Sequence, residues 1–399
     1  MLEKSSKIVN IDKLGVCLGC GLCQSICGKD AVEMELRSDG FIHPNVKKIL
    51  PEKEAIIERI CPGINVINDI NFGPNESIWG HIESLWSGFS LDTEIRTKGS
   101  SGGIISGLAI YALDSGVVDG VMQVGGDSAD YERNTLRIST TREEVLECAS
   151  SRYAPAHIFN EIFDILDKDS QNYMFVGKPC DISALKNFLE EFPIYKDRFK
   201  LTVSIMCAGM PSFQGTSDIV DAFNAKRPIK DLVYRGNGWP GYFSFRDNTS
   251  TVYRKTYNES WGTVLNKHLN LRCKLCPDGI GIQADIAVGD AWETKDGYPD
   301  FTEKDGHSLI ISRSSQGDLV LKNAEKDIKI VLEPLSINKI QLMQPYQYNR
   351  RLKIGARISA FLISKRKKLN FKNLGIAINL RKVPFLVALR EFAGTYRRI

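Results

Sequence analysis

Apolar and polar positions change their spacing several times along the chain. Residues 31–36 (AVEMEL) alternate as a half-buried strand does, and Ser38-Asp39-Gly40 behind them is turn chemistry. Residues 68–76, rich in Asn, Gly and Pro, read as a linker. Beyond it, short apolar runs alternate with helical patterns. Helices are predicted over 103–113 and over 181–190, the latter capped by Asp181, and strands over 117–124, 173–176, 201–206 and 285–288. That alternation predicts an α/β sheet with parallel members, while the aromatic residues and threonines of 233–257 predict antiparallel strands. Past residue 350, Ile354, Ile358, Phe361 and Leu362 recur at helical spacing, and Phe385, Leu389, Phe392 and Tyr396 repeat it. The expected fold is mixed α/β in three parts: a small domain over 1–70, a larger one over 78–345, and a helical tail over 346–399.

Composition narrows the classes. The chain has 399 residues, 43% hydrophobic and 25% charged, which excludes a mainly disordered, collagen-like or small disulfide-stapled protein. The longest apolar stretch, 102–113, is too short to span a bilayer, and residues 1–10 lack a signal-peptide core, so a cytoplasmic location is expected. The net charge of +4 hides an asymmetry: residues 350–399 hold 14 Lys/Arg and one acid, Glu391, leaving an acidic body. The tail reads as two helices packed on that body. A sharper reading attaches it to an anionic face of the inner membrane, whereas no recognition motif supports nucleic-acid binding.

Ten cysteines supply the chemistry. Cys17-x2-Cys20-x2-Cys23-x3-Cys27 places three thiolates at two-residue spacing, as needed to cap three irons of one 4Fe-4S cubane. Zinc sites more often use two separated pairs. In two-cluster ferredoxins the fourth cysteine of such a run serves the other cluster, so the fourth ligand here is expected from a remote Cys-Pro, and Cys61-Pro62 supplies it. Reading back from Cys61 by the same spacing gives Ile57, Glu54 and Pro51, a second half without ligands. One cluster on Cys17, Cys20, Cys23 and Cys61 follows, with Cys27 as the alternative to Cys61. The strand at 31–36 between the halves matches a ferredoxin-like βαββαβ unit.

Cys180 and Cys207 each follow a predicted strand, where open α/β sheets gather ligands, and Cys273-x2-Cys276 can reach them as a loop. These four make a coordination set for a second 4Fe-4S cluster, with zinc as the alternative occupant; Cys148 reads as core. Lys98-Gly99-Ser100-Ser101-Gly102-Gly103 opens an apolar helix and can hold an anion such as a pyrophosphate, although it is not a P-loop. The five histidines form no HExxH motif.

In motif order from about residue 10 to residue 345, the chain resembles the coenzyme F420 hydrogenase/dehydrogenase beta-subunit family, specifically bacterial members with a fused ferredoxin-like N-terminus. The resemblance rests on the two cysteine segments above, Cys61-Pro62-Gly63, residues 100–103 (SSGG), 151–153 (SRY), 176–180 (VGKPC), 207–212 (CAGMPS), 235–240 (RGNGWP) and 285–292 (DIAVGDAW), with Ala208 where relatives commonly carry His. It implies an iron–sulfur flavoprotein oxidoreductase. Electrons would pass from a ferredoxin-type or deazaflavin donor through 4Fe-4S clusters and FAD to a small-molecule or sugar-linked substrate, in a setting such as surface-polysaccharide synthesis. Lys98, Ser100, Ser101, Gly102 and Gly103 would then meet the flavin, and Asp290 and Trp292 would line its pocket. The alternative is an electron-carrier subunit that feeds a partner enzyme.

Overall fold

The computed structural model describes residues 6–127 and 129–399; the first five residues of the expected N-terminal domain lie outside them. The described residues form a small N-terminal layer against a large mixed sheet. In chain order the strands are Val32–Leu36 (β1), Ile42–Val46 (β2), Asn65–Ile67 (β3), Ser84–Ser90 (β4), Gly120–Gly126 (β5), Asn134–Ser139 (β6), Tyr173–Gly177 (β7) and Phe199–Ile205 (β8). Then come Lys230–Val233 (β9), Tyr242–Arg246 (β10), Val252–Thr256 (β11), Ile286–Asp290 (β12), Thr294–Lys295 (β13), Tyr298–Pro299 (β14), Ser308–Ser312 (β15), Ile330–Pro334 (β16) and Asn370–Lys372 (β17).

Eight of these make the main sheet, in the order β16-β4-β15-β12-β8-β7-β5-β6. Strands β12, β8, β7 and β5 run parallel to one another, and the flanking pairs are antiparallel. The chain is therefore mixed α/β, as its periodicity predicts. The parallel strands are buried nearly throughout because helices cover both faces. Ile104–Asp114 and Ser315–Lys326 pack on one face through Ile104, Leu108, Val320 and Leu321. Pro179–Glu191 packs on the other through Ile182, Leu185 and Phe188, together with Leu22, Ile26 and Ile57 of the N-terminal layer. Strands β9, β10 and β11 form the antiparallel sheet expected from 233–257.

Local details depart from the sequence expectations. Where a βαββαβ unit would open with a strand, residues Lys7–Lys13 are helical, because Ser6 caps them and Ile8 and Ile11 turn inward. Asp181 is not the cap of its helix. Pro179 starts that helix, and the Asp181 carboxylate reaches back to accept from the Lys178 backbone N–H at 2.9 Å and its Nζ at 2.7 Å. The strand expected at 117–124 begins at Gly120, since Val118 caps the preceding turn through its N–H to Ala112.

The basic C-terminal residues are woven into the body. β17 pairs in parallel with β3 of the N-terminal layer. On the Pro345–Lys365 helix, Arg351 is fully buried and donates to the carbonyls of Ile78 at 3.0 Å, Ser77 at 2.8 Å and Leu374 at 2.7 Å. By contrast, the Phe385–Tyr396 helix leaves Phe385 and Leu386 more than three-quarters exposed. Among the described residues no helix is long and apolar enough to cross a membrane.

Candidate functional site

The N-terminal cysteines are arranged by two short helices and a turn. Gly19 sits at φ +66°, and a Cβ there would lie 2.6 Å from the Ile42 carbonyl, so only glycine lets the loop fold this tightly. Cys23 lies on the Leu22–Cys27 helix, and Cys61 ends the Pro51–Ile60 helix by donating its N–H to the Ile57 carbonyl at 2.9 Å. Burial, followed by the neighbouring Cys61 and Cys20 thiols, holds Cys17 well above the usual thiol range. Burial and Cys61 push Cys20 up to about 12. Cys23 is raised by burial and by Cys17, Cys20 and Cys61. The four thiols of Cys17, Cys20, Cys23 and Cys61 thus share one neighbourhood. Cys27 is packed in the apolar layer, with Lys53 and Glu54 as its charged neighbours, and of the other thiols it reaches Cys23. Backbone N–H groups point at the sulfurs: Gly19 donates to Cys17 Sγ at 3.4 Å, and Gly63 and Ile64 donate to Cys61.

The second set gathers where three adjacent parallel strands end. β7 runs into Lys178, Pro179 and Cys180, β8 runs into Cys207, and β12 ends at Asp290. Cys273 arrives on the short Leu271–Lys274 helix, capped by the Asn270 side chain, and its Sγ accepts from the Met210 N–H at 3.3 Å. Burial and the Cys273 thiol push Cys207 up to about 12, with Cys276 adding to the same effect. Cys180 is raised by burial, Asp181, Cys207 and Cys273. Among the described residues no three His, Cys, Asp or Glu side chains converge as a single metal ion requires.

Residues 270–273 join the two sets. Asn270 donates to the Cys17 carbonyl at 3.2 Å, and the buried Arg272 donates to Gly63 at 2.8 Å and Pro62 at 2.9 Å. Arg350, far along the chain, donates to the Cys207 carbonyl at 2.7 Å. Sequence reasoning misses these cations. Nothing in their local spacing marks them, because each acts through a carbonyl brought near by the fold.

Beside the second set lies a cavity of about 1150 Å³. Cys207, Lys178 and Asp181 line it, as do Ser100, Ser101, Gly103, Asp290 and Trp292 of the residues expected at a flavin. Two of the expected residues are elsewhere. Lys98 points along its own helix to Glu94, 3.0 Å away, and Gly102 is pressed against backbone, its N–H donating to Ser308 Oγ at 2.9 Å. The serine hydroxyls are already engaged: Ser100 Oγ donates to the Arg235 carbonyl at 2.9 Å and Ser101 Oγ to that of His307 at 2.7 Å. Gly103, at φ +73°, starts the Ile104–Asp114 helix with no side-chain cap, and residues 104–106 line the cavity. A ligand there meets backbone N–H groups and the helix dipole.

Part of the cavity lining is aromatic and charged. Asp290 accepts from both terminal nitrogens of Arg235, at 2.9 and 2.5 Å, and from Trp239 Nε1 at 2.8 Å. Trp239 and Trp292 stack with ring centroids 4.6 Å apart and planes 5° from parallel, and the Arg235 guanidinium lies 5.1 Å from the centres of the Trp292 and Tyr257 rings. Ala208 also lines the cavity and supplies no side chain for proton transfer.

Comparison with known proteins agrees with this architecture. Two family models match, describing the N-terminal and C-terminal parts of the coenzyme F420 hydrogenase/dehydrogenase beta chain; the first covers residues 85–162 and the second residues 170–338. The coenzyme F420 hydrogenase subunit beta of Methanococcus voltae is 26% identical over 247 residues, covering 60% of this chain and 80% of that protein. A coenzyme F420-dependent sulfite reductase of Methanocaldococcus jannaschii is 21% identical over 373 residues, 86% of this chain and 51% of that protein. Among solved structures, a chain of the F420-reducing NiFe hydrogenase complex from Methanosarcina barkeri aligns with a TM-score of 0.54 at 19% identity, covering 77% of this chain and 99% of that one. This last likeness is one of fold.

Proposed function

The chain belongs to the coenzyme F420 hydrogenase/dehydrogenase beta-subunit family, and on that premise we propose that it is an iron–sulfur flavoprotein that carries electrons between a protein or deazaflavin donor and a small-molecule substrate. The relatives are oxidoreductase subunits, which supports a redox role beside a partner enzyme. One observation carries the finer reading: two sets of four cysteines are bridged by Asn270 and Arg272, and Cys207 of the second lines a cavity large enough for a dinucleotide.

The donor sets suit cubanes better than zinc. Structural zinc sites more often use two separated pairs of ligands, whereas Cys17, Cys20 and Cys23 stand in one run. A cubane holds its thiolates at the corners of a cage and favours N–H donors to sulfur, and Cys17, Cys61 and Cys273 have such donors. Cys17, Cys20, Cys23 and Cys61 would hold one cluster, and Cys180, Cys207, Cys273 and Cys276 the other. Such clusters pass single electrons, which a flavin collects into pairs.

In this reading the chain's own groups bind, orient and exclude water. The uncapped start of the Ile104–Asp114 helix takes a pyrophosphate through backbone N–H groups. Ser100 and Ser101 hold that loop in place. Trp292 and Tyr257 offer flat apolar surface to a ring system, fixed by the Arg235–Asp290 pair behind them. The cavity favours an enzyme with its own substrate over a pure electron carrier.

Anaerobic purification with iron, zinc and flavin quantification tests the proposal. The expected yield is about eight irons and one flavin per chain. Cys61→Ser should roughly halve the iron, and Cys27→Ser should leave it unchanged. A colourless protein carrying only zinc overturns the redox reading.

A further inference from the structure

The Pro345–Lys365 helix lies beyond the segments matched by the family models, which end at residue 338. It nonetheless forms a wall of the central cavity. Tyr346, Arg350, Lys353 and Arg357 all line the cavity, and their spacing of four, three and four residues puts them in one stripe along the helix. The stripe carries three cations. Among the described residues one carboxylate answers them: Glu391, the single acid among residues 350–399, lies 3.3 Å from Lys353 and 3.0 Å from Arg357. Arg350 is 3% exposed and makes no ion pair with a carboxylate among the described residues. Its Nη2 donates to the Cys207 carbonyl and to Gln347 Oε1, each at 2.7 Å, while its Nε has no partner. A buried guanidinium with an unused donor is costly unless negative charge sits near it, and among the described residues only the Cys276, Cys207 and Cys273 thiols and the Tyr346 hydroxyl act on it in that sense.

We propose that this stripe is an anion-binding subsite: Arg350, Lys353 and Arg357 receive the negatively charged end of the reducible substrate, a small molecule bearing at least two negative charges as phosphate or carboxylate. The inference rests on the redox reading for the word substrate, and on the chain's own geometry for the binding. The cavity, at about 1150 Å³, exceeds the usual range of roughly 300–1000 Å³ for one ligand, which leaves room beside a dinucleotide. The stripe and the start of the Ile104–Asp114 helix are separate electropositive elements lining the same cavity. Glu391 belongs to the Phe385–Tyr396 helix and does not line the cavity. It acts as a resident counter-ion, holding Lys353 and Arg357 until a stronger anion competes for them.

Titration calorimetry on the full chain, as purified with its cofactors, tests this with pyrophosphate and, separately, citrate as probes. Tighter pyrophosphate binding assigns the phosphate class and tighter citrate binding the carboxylate class. The double variant Lys353→Gln/Arg357→Gln should weaken the preferred probe by roughly tenfold or more. Glu391→Gln should tighten it by a few-fold, about what freeing two cations from one carboxylate provides, and this variant adds no buried charge. A merely structural role predicts no tightening. The proposal is overturned if neither probe binds, or if wild type, the double variant and Glu391→Gln bind alike. Iron and flavin measured in the same samples keep the two claims apart: a chain without irons whose Glu391→Gln form still binds more tightly loses the redox reading and keeps the subsite.

Discussion

The Arg272 guanidinium donates to the carbonyl of Gly63 at 2.8 Å, so the residue before Cys273 holds the turn that follows Cys61. A second bond, to Pro62 at 2.9 Å, makes the grip bidentate. Hydrogen bonds from a charged donor contribute about 1.5–3 kcal/mol each, and the two carbonyls are left unpaired in a buried place when the donor goes. Arg272→Leu should therefore destabilise the chain by about 3 kcal/mol or more. Urea unfolding measures it. Arg272→Lys, which cannot make the fork, should fall between the two. A midpoint unchanged in Arg272→Leu would mean that the turn is held by other contacts.

Asp290 anchors another part of the cavity lining. Its partner Arg235 is 4% exposed and has no other carboxylate among the described residues. Removing one member of a buried pair costs about 3–5 kcal/mol, because the remaining charge is stranded. Asp290→Asn should show that loss in chemical denaturation, together with a changed near-ultraviolet dichroism, since Trp239 donates to the same carboxylate and stacks on Trp292. Replacing both partners, as in Arg235→Met/Asp290→Leu, should cost less than Asp290→Asn alone. A double variant less stable than the single one would contradict this account.

The N-terminal layer carries a pH-dependent contact. His43 lies between two carboxylates, Asp12 at 2.5 Å from Nδ1 and Asp39 at 2.9 Å from Nε2, with Arg37 also on Asp12 at 2.7 Å. The hydrogen bond to Asp12 raises the His43 pKa above its ordinary value of 6.5, against the opposing effect of burial. A raised pKa means that the folded state holds this proton more tightly. Its stabilisation is complete below the unfolded value and is lost as pH rises through the folded one. Stability of the wild type should fall more than that of His43→Asn as pH rises above the ordinary histidine value of about 6.5. Parallel curves for the two proteins would remove His43 as the cause. Asp12, whose pKa is lowered by His43 and Arg37 against burial, contributes the opposite trend, at acid pH.

Much of the site is legible before any folding is considered. The spacing of Cys17, Cys20 and Cys23 is a local property, since residues three apart on a tight loop reach one cluster wherever the loop sits. The placement of Cys180, Cys207 and Asp290 is also legible, because strand periodicity marks where each strand ends and ligands collect beyond those ends. Lys98 shows the limit of such reasoning. It belongs to the right segment but points to Glu94, and a segment does not specify side-chain direction.

The order of amino acids specifies an inventory: the element types, the spaced cysteines and the glycine-rich start of one apolar helix. Packing of the whole chain settles the rest. It sets Cys61 and not Cys27 beside Cys17 and Cys20, clamps one cysteine set to the other through Arg272 and Asn270, and makes a basic tail bury Arg351 and turn Arg350 toward Cys207. The reason is physical. Periodicity and spacing follow from backbone geometry within a few residues, whereas a buried cation finds its partner among carbonyls that the complete fold brings near, and local sequence carries no record of that distance.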